Sequence, residues 1–204
     1  MKGVINLPCC KCIGGQGATV SLNSGSGSGT VPYNLTGPGA GPIAQTITSN
    51  IHPLWTASLP PARWIHANNN NGMDTQPGGT YTYSVRLRIP KCTIPMTVRL
   101  RGEAAADDSF KAYAHNLQTN QNTPIGASPT TQIFSPPPVN GGFGGWGFRS
   151  ERIAQLAWST NVPGDYELRF EVVNGSDGPT GLLVRAAIRT ICPTKLSEDG
   201  DELG

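Results

Sequence analysis

The chain has 204 residues, of which 14% are charged, and its formal net charge is +2. This length allows one large β domain with an extension, and so small a charge gives no general basis for binding nucleic acid. The sequence has no run of eighteen apolar residues, so we expect no helix that inserts into a membrane.

The first thirty residues combine clustered cysteines with a spacer rich in glycine and serine. Cys9, Cys10 and Cys12 lie within four positions, and residues 24–29 read Ser-Gly-Ser-Gly-Ser-Gly. Such a composition is typical of flexible linkers. We therefore predict that residues 1–30 form a flexible N-terminal connector, an extended arm in front of the folded body.

Two apolar patches in this arm predict a docking function. One patch precedes Pro8, and the other lies in the strand-like stretch Thr19–Leu22. An extended segment of this kind can add a strand to an exposed sheet edge of a neighbouring copy. The alternative is that the arm only frays. The residues that we predict to dock are Val4, Ile5, Leu7, Val20 and Leu22.

The body, residues 31–195, alternates between apolar and polar positions. In Thr80–Ile89 the odd positions are apolar or aromatic and the even positions are polar. The same period of two recurs in residues 96–101, 166–172 and 184–189. This pattern is typical of antiparallel strands with one face toward a core and one toward water.

One stretch is ambiguous between helix and strand. Ser150 could cap a helix that runs to Trp158. The same residues also alternate as a strand, with Ala154, Leu156 and Trp158 facing inward. Its position between two sheet-like regions favours the strand.

Many short strands separated by Gly- and Pro-rich turns predict an all-β fold. We prefer a jelly-roll antiparallel β-sandwich, because the long loops at 68–79 and 116–147 do not suit a barrel of tight hairpins. An acidic C-terminal tail follows at residues 196–204, with Glu198, Asp199, Asp201 and Glu202. We expect the tail to be a solvated terminus, although it could favour head-to-tail contacts with the basic body.

Several landmarks of the body support this choice: Trp55, the strand from Tyr81 to Ile89-Pro90, Ala106–Phe110, Pro163–Asn174 and Pro179–Val184. With these landmarks, residues 55–192 resemble a family of bacterial extracellular jelly-roll modules, similar to galactose-binding and other carbohydrate-binding sandwiches. The resemblance implies a module that binds sugars, decorates a surface or builds fibres. The chain departs from the family at His115–Asn120, where an Asn-Gly hairpin is usual.

The paired cysteines on a connector ahead of the body resemble the subunits of bacterial spore appendages. That resemblance implies a connector that reaches into neighbouring subunits and is held there by disulfides.

The remaining cysteines, Cys92 and Cys192, each follow a strand-like run. Five is an odd number, so complete oxidation would require at least one bond to another chain. Cys92 and Cys192 could bridge each other if their Cα atoms lie within about 7 Å, or they could accept cysteines of the arm. Unpaired thiols and a soft-metal site are the other interpretations, but adjacent cysteines suit structural zinc poorly.

Two further features suggest ligands. The glycine-rich loop at 141–148 carries Phe143, Trp146 and Phe148, which could stack on sugars, close the core or contact another subunit. Asp107 and Asp108 could bind Ca²⁺, but a turn stabilised by these side chains is the interpretation we favour. We therefore predict no metal and no cofactor.

Seven arginines point outward from the predicted strands. They could pair with glutamates on neighbouring strands, contact a polyanion such as acidic polysaccharide, or meet the next subunit. The residues are Arg86, Arg88, Arg99, Arg101, Arg169, Arg185 and Arg189.

No catalytic motif surrounds His52, His66 or His115, so we predict that the protein is not an enzyme. We expect a structural subunit that self-assembles into an extracellular filament or surface appendage, with copies of itself as partners and a polysaccharide as a further partner. The alternatives are a carbohydrate-binding module and a virion or tail receptor-binding protein. Cysteine usage favours an extracellular or cell-surface location.

Overall fold

Twelve β-strands and no helix make up the regular structure of the described chain. The computed structural model describes residues 4–11, 14–15, 17–25, 32–52, 55, 59–67, 71–107, 109–127 and 153–194. The strands form two six-stranded sheets that pack face to face. The prediction of an all-β sandwich is confirmed at this level. No helix in these ranges is long and apolar enough to cross a membrane.

Sheet A has the strand order β6-β11-β8-β9, with β1 and β3 both on the outer edge of β6. All of its pairings are antiparallel except that of β1 with β6. Its strands are β1 (Val4–Asn6), β3 (Asn34–Thr36), β6 (Gly79–Ile89), β8 (Ser109–Asn116), β9 (Gln121–Ala127) and β11 (Gly164–Asn174).

Sheet B has the order β10-β7-β12-β5-β4, and β2 also pairs with the outer edge of β12. All of its pairings are antiparallel. Its strands are β2 (Thr19–Ser21), β4 (Gln45–Thr46), β5 (Ile65–His66), β7 (Thr97–Ala106), β10 (Ala154–Thr160) and β12 (Leu182–Ile191).

The main core lies between the sheets and follows the predicted alternation. On β6 the odd positions from Tyr81 to Ile89 are buried, and on β11 the same holds for the even positions from Tyr166 to Val172. Successive side chains of a strand point to opposite faces, so one apolar set fills the interior. The ambiguous stretch is a strand, β10, and its buried positions are Ala154, Leu156 and Trp158, as the sequence predicts.

The chain changes sheet at most of its connections. It passes from β6 in sheet A to β7 in sheet B, and returns to sheet A for β8 and β9. It then enters sheet B with β10, sheet A with β11 and sheet B with β12. This order establishes two interleaved sheets, and the jelly-roll description remains a prediction.

A second, smaller core covers one end of the outer face of sheet B. Trp55 and Trp64 lie with ring centroids 4.4 Å apart and pack with Ala105 and Leu183, whose side chains point away from the main core. The other end of this face, around Arg189 on β12, is not covered by this core and carries exposed arginines.

Candidate functional site

The N-terminal segment, by which we mean the described residues between 4 and 25, lies along the outer edges of both sheets. On sheet A, β1 runs parallel to β6, with Ile5 opposite Leu87. The Leu7 N–H continues this pairing by donating to the Arg88 carbonyl at 3.1 Å. On the outer edge of β6, β3 pairs with residues 82–84 and β1 pairs with residues 86–88. Edge strands left unpaired offer a template for association, so this pairing protects the sheet.

On sheet B the same segment pairs with β12. Val20 lies opposite Ile188, the Thr190 N–H donates to the Ala18 carbonyl at 2.8 Å, and the Ala18 N–H donates to Thr190 Oγ1 at 2.6 Å. The approach is so close that a Cβ on Gly17 would lie 1.6 Å from the Thr190 carbonyl oxygen. Only glycine permits this contact.

Two polar side chains continue the pairing beyond β2. The N–H groups of Leu22 and Ser24 donate to the carbonyls of Ala186 and Val184, at 2.8 and 2.9 Å. In return, Asn23 Oδ1 accepts from the Ala186 N–H at 3.2 Å and Ser24 Oγ accepts from the Val184 N–H at 2.9 Å. The side chains therefore replace backbone carbonyls where the segment stops being a regular strand.

Two disulfides join the segment to the two sheets. Cys9 binds Cys92, just after β6, and Cys10 binds Cys192, just after β12. The Cα–Cα distances are 5.6 and 5.7 Å, within the usual range for disulfides. Successive side chains of an extended chain point in opposite directions, so adjacent cysteines can reach one sheet each. Cys12 lies outside the described residues.

Apolar contacts add to these crosslinks. Leu7 and Leu22 are 3% and 1% exposed in the main core. The buried Tyr33 hydroxyl donates to the Leu22 carbonyl at 2.7 Å, and burial raises the pKa of Tyr33 far above its ordinary value. Full burial of a leucine contributes about 1.5–3 kcal/mol, so the segment is an integral part of the folded unit.

The predicted docking residues differ in what they contribute. Leu7 and Leu22 are buried, Ile5 and Val20 are partly buried against the core, and Val4 is exposed. In this structure they dock on the body of their own chain. Docking on a neighbouring copy stays a prediction.

The disulfides decide between the alternatives for four of the five cysteines. The disulfide interpretation holds for Cys9, Cys10, Cys92 and Cys192, and the alternative of a Cys92–Cys192 bridge is wrong. Each of the two acceptors is bound to a cysteine of the arm instead.

The other predicted ligand sites lie elsewhere or outside the described chain. Asp107 is buried, its carboxylate accepts from the Trp55 indole N–H at 3.2 Å, and its N–H donates to the Gly181 carbonyl. No group of three or more His, Cys, Asp or Glu side chains that could hold a metal occurs among the described residues. Asp108, Phe143, Trp146 and Phe148 lie outside them.

Charged side chains on the outer face of sheet A form ion pairs. Arg86 and Arg169 both contact Glu167, at 3.8 and 2.6 Å. Arg88 donates to Asp165 at 2.6 Å, and this hydrogen bond lowers the pKa of the Asp165 carboxyl. Arg86–Glu167 and Arg88–Asp165 join β6 to β11, so the predicted cross-strand pairing of arginines with acidic residues is present on this face, whereas Arg169 and Glu167 lie on the same strand.

Sequence reasoning missed Gly17, Asn23 and Ser24 as docking residues. Their positions beside the predicted strand Thr19–Leu22 were the only available signal, because glycine, serine and asparagine there also suit a linker.

Comparison with known proteins found no similar protein. No family model matches the chain, and neither curated proteins nor solved structures provide a match.

Proposed function

We propose that this protein is a non-enzymatic structural subunit of an extracellular assembly, a jelly-roll sandwich whose extended N-terminal arm can close the sheet edges of a neighbouring copy. The observation that carries the proposal is that one short segment pairs with an edge of both sheets and is crosslinked to both. Strand addition of this kind is a recurrent way of joining proteins.

Exchange of the arm between copies preserves every contact described above. The same Leu7 and Leu22 side chains would fill the same pockets, and the same hydrogen bonds to β12 would form. Beyond the docked Ser24, residues 26–29 read Ser-Gly-Ser-Gly, a composition that suits a flexible connection to the body. If each copy gives its arm to the next, the contact is head-to-tail, and an open filament results when the rotation between copies does not close a ring.

The cysteine count supports crosslinking between chains. The chain has five cysteines, and the two disulfides use four of them. No cysteine of the same chain is left for Cys12, so a disulfide at Cys12 would have to join a second molecule. Disulfides persist in oxidising compartments, which supports an extracellular or surface location.

Isotope mixing tests the exchange with the wild-type chain. Equal amounts of unlabelled and ¹⁵N-labelled protein are reduced, unfolded, refolded together and oxidised. The disulfide-linked peptides that contain Cys10 and Cys192 are then analysed by mass spectrometry. Exchange between chains predicts that up to about half of these pairs combine one labelled and one unlabelled peptide.

The mixture of two proteins that were oxidised separately is the control, and it should contain no hybrid pairs. Uniformly labelled and uniformly unlabelled pairs alone, together with monomers in negative-stain electron microscopy, would refute arm exchange. A Cys12→Ser variant that still forms reducible multimers would show that Cys12 is not their crosslink.

A further inference from the structure

A groove of about 620 Å³ lies on the outer face of sheet B, beside the Cys10–Cys192 disulfide. Its floor comes from β7 and β12, and one side comes from the N-terminal segment. Three arginines and three small or hydroxyl-bearing residues give the groove its charge and width: Arg99, Arg101, Arg189, Gly17, Thr19 and Ala187.

The strand register concentrates positive charge in this groove. Arg99 lies directly opposite Arg189, and Arg101 lies opposite the small side chain of Ala187. Arg99 and Arg189 form a row across the sheet. Ser159 on β10 and Thr19 on β2 continue this row on the flanking strands, and neither is acidic.

The acidic side chain described nearest to these arginines on β7 does not neutralise their charge. Glu103, two positions beyond Arg101 on β7, pairs with Arg185. Within the described part of the chain, the ion pairs of the arginines involve Arg86, Arg88, Arg169 and Arg185 and none of the three arginines in the groove. Like charges directly opposite each other destabilise a sheet, and an anionic ligand between Arg99 and Arg189 would relieve this repulsion.

We propose that the groove binds an anionic polysaccharide through its carboxylate or sulfate groups. Arginine presents a planar set of donors that matches such groups in bidentate fashion. Arg99 and Arg101 are two residues apart on one strand, which places their Cα atoms about 7 Å apart. The row from Ser159 to Thr19 crosses four strands and spans about 14 Å, with hydroxyl groups at both ends for sugar hydroxyls.

The lining favours a polysaccharide over a nucleic acid. Single-stranded nucleic acids are usually held by aromatic side chains that stack on the bases, and none of the described residues that line this groove is aromatic. The volume is that of a typical site for a small ligand, which suits a few sugar rings of a longer chain.

The groove is complete only while the N-terminal segment is docked. Gly15, Gly17 and Thr19 form its side, and Cys192 of the disulfide lines it. Binding should therefore weaken when the Cys10–Cys192 disulfide is removed. The segment could come from the same chain or from a neighbour, so this inference does not depend on arm exchange.

Titration calorimetry on the oxidised full-length protein tests the proposal, with heparin and polygalacturonate as anionic probes and dextran as the neutral one. The groove variant is Arg99→Gln, Arg101→Gln and Arg189→Gln combined. The matched control is Arg86→Gln, Arg88→Gln and Arg169→Gln combined, which removes the same charge from the outer face of sheet A. We expect at least one anionic probe to bind, the groove variant to weaken its Kd at least tenfold, and the control to change Kd less than twofold.

Three results would overturn the proposal. Equal weakening in both triple variants would show attraction by net charge alone, and tighter binding of a single-stranded oligonucleotide would contradict the choice of ligand. Binding that appears only after Glu198, Asp199, Asp201 and Glu202 are replaced by amides would assign the groove to that acidic stretch instead. If the triple variant fails to fold, the single variant Arg101→Gln replaces it in the test. We expect this variant to weaken the Kd for the anionic probe at least threefold.

Discussion

Removal of the Cys10–Cys192 disulfide should cost a large part of the folding free energy. The bond closes a loop with a sequence separation of 182 residues. Chain-entropy theory predicts that such a crosslink stabilises the fold by about 5 kcal/mol at 25 °C, because it restricts the unfolded chain. Domains of this kind are stable by about 5–15 kcal/mol, so the loss is a third of the total or more.

The second disulfide provides an internal comparison. Cys9–Cys92 closes a loop with a separation of 83 residues, for which the same theory predicts about 4.5 kcal/mol. The two losses should be similar because the entropy depends on the logarithm of loop length. The variants are Cys10→Ala with Cys192→Ala, and Cys9→Ala with Cys92→Ala.

The assay is urea unfolding of the monomer fraction without reductant, followed by circular dichroism at two protein concentrations tenfold apart. Both double variants should lose several kcal/mol, with midpoints that do not depend on concentration. A loss below about 1 kcal/mol in either variant would refute the loop-closure reasoning. A strong concentration dependence would show that the stability comes from association between chains.

Four smaller perturbations probe single side chains. Tyr83→Phe should leave stability unchanged or raise it by up to about 1 kcal/mol, because its buried hydroxyl has no hydrogen-bond partner among the described residues. Tyr33→Phe should lower the free energy of unfolding by about 1 kcal/mol because its hydroxyl donates to a carbonyl of the N-terminal segment. Equal changes in stability for Tyr83→Phe and Tyr33→Phe in urea unfolding would contradict this difference. Burial lowers the pKa of His66 below its ordinary 6.5, so its contribution to stability is fully present above that pH and is lost as the pH falls toward the folded-state pKa. The urea midpoint should therefore fall between pH 7 and 5.5 in the wild type and less in His66→Gln. Gly17→Ala should cost about 1–3 kcal/mol by overpacking against Thr190, and amide hydrogen exchange along the edge of β12 should become faster. Unchanged exchange there would contradict the close contact.

The local alternation of apolar and polar residues was sufficient to predict which faces of the long strands are buried. The alternation in Thr80–Ile89 predicted which side chains of β6 are buried, and inward Ala154, Leu156 and Trp158 were predicted for β10. Such patterns are readable because a strand with one buried face must repeat every two residues. The five strands β1 to β5 have only two or three residues each, too few to show a period.

The sequence by itself determined the class of the fold, the faces of the long strands and the fact that one cysteine of five must be left over within the chain. Only the tertiary structure decided that adjacent Cys9 and Cys10 bind different sheets, that Gly17 contacts Thr190, and that Arg99 lies directly opposite Arg189. Alternation is a property of neighbours in the chain. Disulfide partners and charge clusters depend on distances between residues far apart in sequence, and those distances are set by how the sheets pair and pack.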